Sequence, residues 1–328
     1  MNKSMFRIGL FALVIVIVAG VIDAQTKKPQ TTQKKKPTAA QRAKLKADSI
    51  ALATVRADSL QKALRVQAIK DSTRAFADSL AREDSLKSTQ LRKIDHKAFG
   101  VGEKLVFDVN WKFVNAGEAI MWVPKYDSIA GRKCYKVEFQ VNSNAFISSF
   151  YKVEDRYYTF IDVETIAPWR FEQHIREGTY RRDFIAEFDQ RRHVAKTTEG
   201  EYPIAPYVHD IMSAFYYART LDYSNLKIGE GPLLHNFYKD KSHELRVKFL
   251  GRQEIEVLAG KFKTVVVEPM VREGGLFKSE GRIVIWLTDD ERKIPVRVNT
   301  KVLIGSIDVE LREYSGLIGP LGAKIEED

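Results

Sequence analysis

The sequence contains a single cysteine, Cys134, so it cannot form an internal disulfide. This cysteine lies between apolar neighbours in the stretch KCYKVEF, which is typical of a small buried side chain rather than of a reactive nucleophile. The stability of the protein must therefore come from packing.

Motifs for catalysis, metal binding and nucleotide binding are also lacking. The sequence has no HExxH, no GxSxG and no glycine-rich phosphate loop, and its six histidines are scattered. The adjacent Asp289 and Asp290 of WLTDD follow an alternating apolar run, where aspartates usually fold back onto backbone amides. We predict a turn there, and no catalytic residue, metal ligand or cofactor. An envelope hydrolase using these two aspartates is the weaker alternative.

A long apolar run occurs at the N-terminus. Lys3 and Arg7 precede an apolar run from Ile8 to Ile22, and Ala24 offers a small residue for cleavage. Because a spanning helix needs roughly 20 apolar residues, residues 1–24 predict a signal peptide, with a retained anchor as the alternative. No cysteine follows for lipidation, so we expect an exported protein of the periplasm or outer membrane that is not a lipoprotein.

The net charge of +10 is concentrated in one segment. Residues 25–97 carry 18 basic and 7 acidic residues, whereas residues 98–328 carry 33 basic and 35 acidic ones. The nearly neutral remainder lacks the basic face that nucleic acid requires, so no nucleic-acid partner is expected.

The basic segment has two parts. Residues 25–38 contain Lys, Thr, Gln and Pro without large apolar residues, which predicts a disordered linker. Residues 39–97 are rich in Ala, Leu, Arg, Lys and Asp, and predict a charged helical stalk. The stalk is interpreted as a spacer. Contact of residues 25–97 with cell wall or anionic membrane, or a coiled coil, is the alternative.

From Phe99 onward the apolar residues recur with a period of two. About thirteen short alternating segments follow one another, with Gly, Asn and Asp between them, as in antiparallel hairpins. Among the turns we predict one at residues 250–252, and we interpret residues 146–151 as the end of the third strand. One amphipathic helix, for which Asp210 is the predicted N-cap, interrupts them. We predict a mainly β domain over residues 98–316, either a strongly curved antiparallel sheet or a partly closed β-barrel with one covering helix. A flexible tail is expected over 317–328.

Several predicted strands are apolar on both faces, for example residues 282–287. A second apolar face needs either another layer or an internal cavity, and a plain two-layer core remains the alternative to a cavity. The candidate residues for a cavity lining are Trp111, Trp122, Trp169 and Trp286.

Residues 99–315 resemble a known family, the exported bacterial proteins grouped as "domain of unknown function 3108". The resemblance implies an envelope protein with a strongly curved antiparallel β fold, and it assigns no catalytic residues. It rests on these stretches in order: FGVGEKLVFDVNW (99–111), NAGEA (115–119), FYKVEDRYYTF (150–160), DIMSAFYYAR (210–219), LAGKFKTVVVEP (258–269), GRIVIWLTDDERKIPVRV (281–298) and IGSIDVEL (304–311).

These observations favour a non-enzymatic function in the cell envelope. We expect a binding or carrier module for a lipid, another apolar ligand or an envelope partner. The alternative is a structural protein that its basic segment tethers to cell wall or anionic membrane.

Overall fold

The structure is a computed structural model that describes residues 91–271, 282–302 and 305–326, together with the single residue Gln67. The predicted signal peptide, the basic linker and most of the predicted stalk lie outside these residues. In the described ranges the chain forms fifteen β-strands and two helices. The prediction of a mainly β domain is therefore confirmed.

The elements follow one another with mostly short connections. Their bounds are β1 (Lys104–Trp111), β2 (Val114–Ile129), β3 (Arg132–Ser143), α1 (Ala145–Ser148), β4 (Glu154–Asp162), β5 (Pro168–Glu177), β6 (Tyr180–Asp189), β7 (Val194–Thr197), β8 (Gly200–Pro203), α2 (Ile211–Arg219), β9 (Leu233–Tyr238), β10 (Lys241–Val257), β11 (Gly260–Val271), β12 (Ile283–Thr288), β13 (Pro295–Val302), β14 (Gly305–Ser315) and β15 (Lys324–Ile325).

All fifteen strands belong to one antiparallel sheet. On one side of β1, strands β2 to β8 follow in chain order, and on the other side β14 to β9 follow in reverse order. β1 therefore lies in the middle of the sheet, paired with β2 and with β14. The short strand β15 pairs with β11.

The sheet is strongly curved, because the segment that follows β8 at one edge reaches the strands of the other edge. Ala205 N donates to Ser242 Oγ of β10 at 2.9 Å, and His209 N donates to the carbonyl of His235 on β9 at 2.8 Å. No strand pairing joins β8 to β9 in the ranges given above, so the sheet is curved but not closed.

Helix α2 covers the inner face of this sheet. It begins after Asp210, whose carboxylate accepts hydrogen bonds from Met212 N at 2.8 Å and Ser213 N at 2.9 Å, as predicted for an N-cap. The same carboxylate accepts from Thr159 Oγ1 on β4 at 2.7 Å. Helix α2 contributes to one apolar cluster with β1–β7, β9 and β14, and to another with β9–β12, so it joins the two halves of the sheet.

The hairpin turns lie at two opposite ends of the sheet. At one end, which we call the tip, the β1–β2 turn lies beside α1, because Asn144 Nδ2 donates to the carbonyl of Asn115 at 2.7 Å. At the other end, which we call the base, Leu91 packs against the apolar cluster that contains Trp169. None of the helices in the described part of the chain is long and apolar enough to cross a membrane.

The turn that the sequence suggests at residues 250–252 is wrong. β10 continues through it, and its pairing with β11 shifts by one residue between Phe249 and Gly251. Gly251 has φ 121°, which lets the chain absorb an extra residue as a bulge without reversing direction.

Residues 146–151, which the sequence suggests as the end of a strand, contain helix α1 instead. The Asn144 side chain caps this single turn by accepting from Ile147 N at 2.9 Å, and Ile147 is the residue that α1 buries. The cap by Asn144 and the burial of Ile147 thus favour a helical turn over the strand that the alternating apolar residues suggest.

Both chain ends of the described domain also differ from the sequence interpretation. Residues 91–97, expected to complete the helical stalk, are not helical, and Ile94 N donates to the carbonyl of Glu164 at 2.8 Å. Where a flexible tail was expected, β15 pairs with β11 and Ala323 N donates to Asp290 Oδ2 at 3.0 Å. Tertiary hydrogen bonds hold both segments.

Candidate functional site

An apolar cavity of about 180 Å³ lies between α2 and the inner face of the sheet. Every residue that lines it is apolar. The lining consists of Phe107, Met121, Phe139, Ile211, Met212, Ala214, Phe215, Ala218, Leu245, Val247, Val267, Pro269, Ile283, Ile285, Leu287, Pro295, Val298 and Val309.

The helix sequence explains why space remains beside α2. Ala214 and Ala218 are four residues apart, so they lie on the same side of the helix and present only methyl groups to the strands. Ile211 and Phe215 stand beside them and are only partly buried. The cavity is therefore the gap that two small side chains leave within an otherwise large apolar layer.

The strand sequences supply the opposite wall through the apolar residues of the inner face of the sheet. Ile285 on β12 and Val298 on β13 are paired in register and are partly buried. Partly buried apolar side chains around a cavity are the surface that an apolar ligand would cover.

The charged groups at the two ends of α2 are engaged with the protein. Burial raises the pKa of Asp210, whose carboxylate is occupied by the helix amides and by Thr159. At the other end of α2, Arg219 donates to both carboxylate oxygens of the buried Glu103. The cavity can thus hold an apolar group, and it presents no acid, base or nucleophile to transform one.

A buried pair of acidic residues lies elsewhere, on β4 and β5 near the tip. Asp155 and Glu177 are neighbouring carboxyl groups, and both are almost completely buried. Burial and the neighbouring Asp155 raise the pKa of Glu177 to about 8, and burial also raises the pKa of Asp155. Neither residue lines the apolar cavity, so the pair is part of the packing rather than of that site.

A second depression of about 540 Å³ lies near the base, lined by residues 221–232 and Arg246. Its charged groups serve the loop itself: Glu230 Oε2 accepts from Lys227 N at 3.0 Å, and Arg246 Nη1 donates to the carbonyl of Gly231 at 3.1 Å. These groups do not converge on a common point.

The structure places the four candidate tryptophans apart from one another. Trp169 is buried with Cys134 at the base, and Trp122 on β2 is 37% exposed. Trp111 ends β1 at the tip, and Trp286 Nε1 donates to Gln253 Oε1 at 2.8 Å. None of the four is among the residues that line the cavity. Ligand contact through them remains a prediction.

The two aspartates of WLTDD have structural contacts. Asp290 Oδ1 accepts from Thr288 Oγ1, Arg292 N and Lys293 N at 2.8–3.1 Å. Asp289 accepts from Arg252 Nε at 2.8 Å. The stretch is a turn stabilised by Asp290. Over residues 91–271, 282–302 and 305–326, no three His, Cys, Asp or Glu side chains form a potential metal site.

The fold and the cavity define a class of protein: a single curved antiparallel sheet that encloses apolar space beside a covering helix. A family model described as "Protein of unknown function (DUF3108)" matches residues 106–312, and the chain belongs to this family. A search of curated proteins found no match.

Three solved structures have a similar chain trace at low sequence identity. One is a β-barrel-like protein of domain of unknown function DUF1849 from Brucella abortus, with a TM-score of 0.45 and 9% identity over 69% of this chain and 98% of that chain. A "putative exported protein" with a YmcC-like fold from Bacteroides fragilis has a TM-score of 0.27 and 12% identity, covering 69% and 100%. A "putative lipoprotein" from Parabacteroides distasonis has a TM-score of 0.30 and 11% identity, with the same coverage.

The sequence contains residues that predict the cavity, but they are not the tryptophans. The pair Ala214 and Ala218 in the covering helix, together with the apolar inner-face residues of β12, indicates missing volume beside the helix. Aromatic size alone does not distinguish the inner face of a sheet from the outer one.

Proposed function

We propose that this chain is an exported envelope protein whose β domain binds an apolar group, without chemical conversion, in the cavity between α2 and the sheet. The observation that carries the proposal is the uniformly apolar lining of a space of about 180 Å³. The predicted signal peptide at residues 1–24 supports the cellular location.

The size of the cavity limits which ligands can fit. Apolar cavities of about 150 Å³ accept a molecule of the size of benzene, whereas sites for drug-sized ligands measure roughly 300–1,000 Å³. The cavity therefore suits the end of an acyl chain or a single ring, and not an entire lipid. The rest of such a ligand lies outside the space next to α2.

An environment-sensitive apolar dye, N-phenyl-1-naphthylamine, tests this proposal. We expect its fluorescence to rise on addition of the full-length protein, and the variant Ala214→Phe to abolish the rise by filling the space. The matched control is Ala186→Phe, which adds the same volume to a buried position outside the cavity. Dye binding that Ala214→Phe leaves unchanged, in a folded protein, contradicts the proposal.

Native mass spectrometry of protein purified from its own envelope identifies the ligand class. We expect a bound species with an acyl chain or ring in the wild type that is lost from Ala214→Phe. Repeated isolation of the wild type without any bound species contradicts a carrier role.

The concentration of basic residues in one segment favours a second candidate function, in which that segment attaches the protein to the envelope. The 18 basic residues among positions 25–97 support contact of this segment with cell wall or anionic membrane. Deletion of residues 25–90 downstream of the signal peptide, which keeps the folded segment 91–97, is expected to release the β domain from the envelope fraction. Unchanged retention of the deleted protein contradicts tethering.

A further inference from the structure

The tip carries large apolar side chains in water. Phe113 is fully exposed, Phe146 is 66% exposed, Phe150 is 51% exposed and Val114 is 47% exposed. We call these four residues the aromatic patch. Single exposed apolar residues are normal, but several in two adjoining loops indicate an interaction surface.

The β1–β2 turn holds Phe113 outward at some conformational cost. Trp111 and Val114 are paired in register, so Lys112 and Phe113 form a two-residue turn. Lys112 has φ 56°, a conformation that Asn or Gly adopts more easily and that hairpin turns of this length usually assign to them. A sequence selected only for turning would not place Lys and Phe here.

Helix α1 and the residues directly after it hold the other two rings, Phe146 and Phe150. Ile147 is 2% exposed and anchors the helix, while Phe146 and Phe150 contact each other edge to face with centroids 5.3 Å apart. The hydrogen bond from Asn144 Nδ2 to the Asn115 carbonyl ties this loop to the β1–β2 turn. The patch is therefore largely preformed.

Basic side chains surround the patch. Lys112 lies in the turn itself. Its amide donates to the carbonyl of Ser306, and Ser306 is paired with Lys301, so Lys301 also lies at this end of the sheet. Lys152 follows α1 and forms a 2.9 Å ion pair with Glu154. Arg181 lies on β6 next to the neighbouring β5–β6 turn and donates to main-chain carbonyls.

We propose that the tip is a docking surface for an anionic lipid bilayer, with the aromatic patch inserting among headgroups and the basic residues facing lipid phosphates. Aromatic rings flanked by Lys and Arg suit the membrane interface, where each basic residue gains attraction from anionic lipid. Four side chains are too few for a stable protein interface, which needs roughly 800 Å² from each partner. The proposal does not require a ligand in the cavity.

A single dye placed at the tip tests the proposal without interference from the basic segment at residues 25–97. The native thiol of Cys134 is completely buried, and burial raises its pKa to about 12, so an introduced cysteine is labelled selectively in the folded protein. The test variant is full-length Phe113→Cys carrying a nitrobenzoxadiazole dye. The matched control is Leu258→Cys, because Leu258 is 75% exposed in the β10–β11 turn at the base.

We expect vesicles of phosphatidylethanolamine and phosphatidylglycerol to shift the dye at position 113 to the blue, and lipids brominated on the acyl chain to quench it. The dye at position 258 should respond far less. Adding Phe146→Ser and Phe150→Ser to the test variant should weaken the vesicle response by roughly tenfold or more, since each ring that leaves water for the bilayer favours binding. Vesicles of phosphatidylcholine alone should give a weaker response.

Three results overturn the proposal. One is the absence of a response at position 113, and another is an equal response at positions 113 and 258. The third is a dye that is already shifted before vesicles are added, because the tip is then covered by the chain itself or, where the shift grows with protein concentration, by a second copy.

Discussion

Arg219 and Glu103 form a two-point ion pair in which both side chains are buried. The distances from Nη1 to Oε1 and from Nη2 to Oε2 are 2.7 and 2.8 Å, and the side chains are 0% and 1% exposed. Arg219 ends α2 and Glu103 precedes β1, so the pair fixes the end of the covering helix to the central strand. The carbonyls of Ala98 and Arg292 also accept hydrogen bonds from the guanidinium group of Arg219.

Arg219→Met should lower the free energy of unfolding by about 3–5 kcal/mol, because it leaves the Glu103 carboxylate buried without its partner. Urea denaturation measures the change. The matched control is Glu291→Gln, which breaks the exposed pair with Lys97 and should cost less than about 1 kcal/mol. Similar losses in both variants would show that burial does not strengthen the first pair.

Because Asp155 and Glu177 are buried together, we expect the folded protein to become less stable as the pH rises. Since the pKa of Glu177 in the folded protein is about 8, against an ordinary value of 4.5, the folded state holds a proton that the unfolded state releases. The free energy of unfolding should therefore decrease between about pH 4.5 and pH 8. Glu177→Gln should flatten this dependence and make the protein more stable than the wild type at pH 8.

Urea denaturation at a series of pH values checks this prediction. Glu201→Gln is the control, because Glu201 is exposed on β8 and its removal should leave the pH dependence of the wild type unchanged. A profile that stays equally steep in Glu177→Gln would assign the dependence to other groups.

Cys134 should be almost unreactive in the folded protein. Burial raises the pKa of its thiol from 9 to about 12, so the thiolate that attacks a disulfide reagent is scarce and inaccessible. Ellman's reagent at pH 8 should modify it at least about a hundredfold more slowly than in guanidinium-unfolded protein. An added cysteine at an exposed position, Ser149→Cys, should react at once, and equally fast reaction of Cys134 would place that thiol at the surface.

Asp210→Ala should destabilise the protein by about 2 kcal/mol or more, because it removes both the helix cap and the partner of Thr159. Asp210→Asn keeps an oxygen for the helix amides and should cost much less. Thermal unfolding measures both. Since α2 is one wall of the cavity, we also expect weaker dye binding in Asp210→Ala than in Asp210→Asn, and equal behaviour of the two variants would exclude a capping role.

Local sequence patterns correctly predicted those elements that depend only on neighbouring residues. The alternation in β1 and the cap at Asp210 both correspond to observed features, because side-chain direction and a free helix amide depend on near neighbours alone. The same reasoning placed a turn at Gly251 wrongly. A positive φ suits either a turn or a bulge, and only the pairing with β11 decides between them.

The cavity could not be derived from the sequence in the same way. Its walls come from α2 and from strands as far apart in the chain as β1 and β14, and the distance between such walls depends on packing across the whole sheet. The two-sided apolar strands indicated that extra space or an extra layer was needed. They did not show which residues would face it.

The central position of β1 has a consequence for the order of folding. Its partner on one edge, β2, follows directly, but its partner on the other edge, β14, is synthesised about 200 residues later. During synthesis from the N-terminus, the hairpins from β1 to β8 can pair in succession, while the free edge of β1 stays open until β14 has emerged. Such late pairing is slow, and an open edge is prone to aggregation. The period before β14 arrives is therefore when the protein most needs protection by a chaperone.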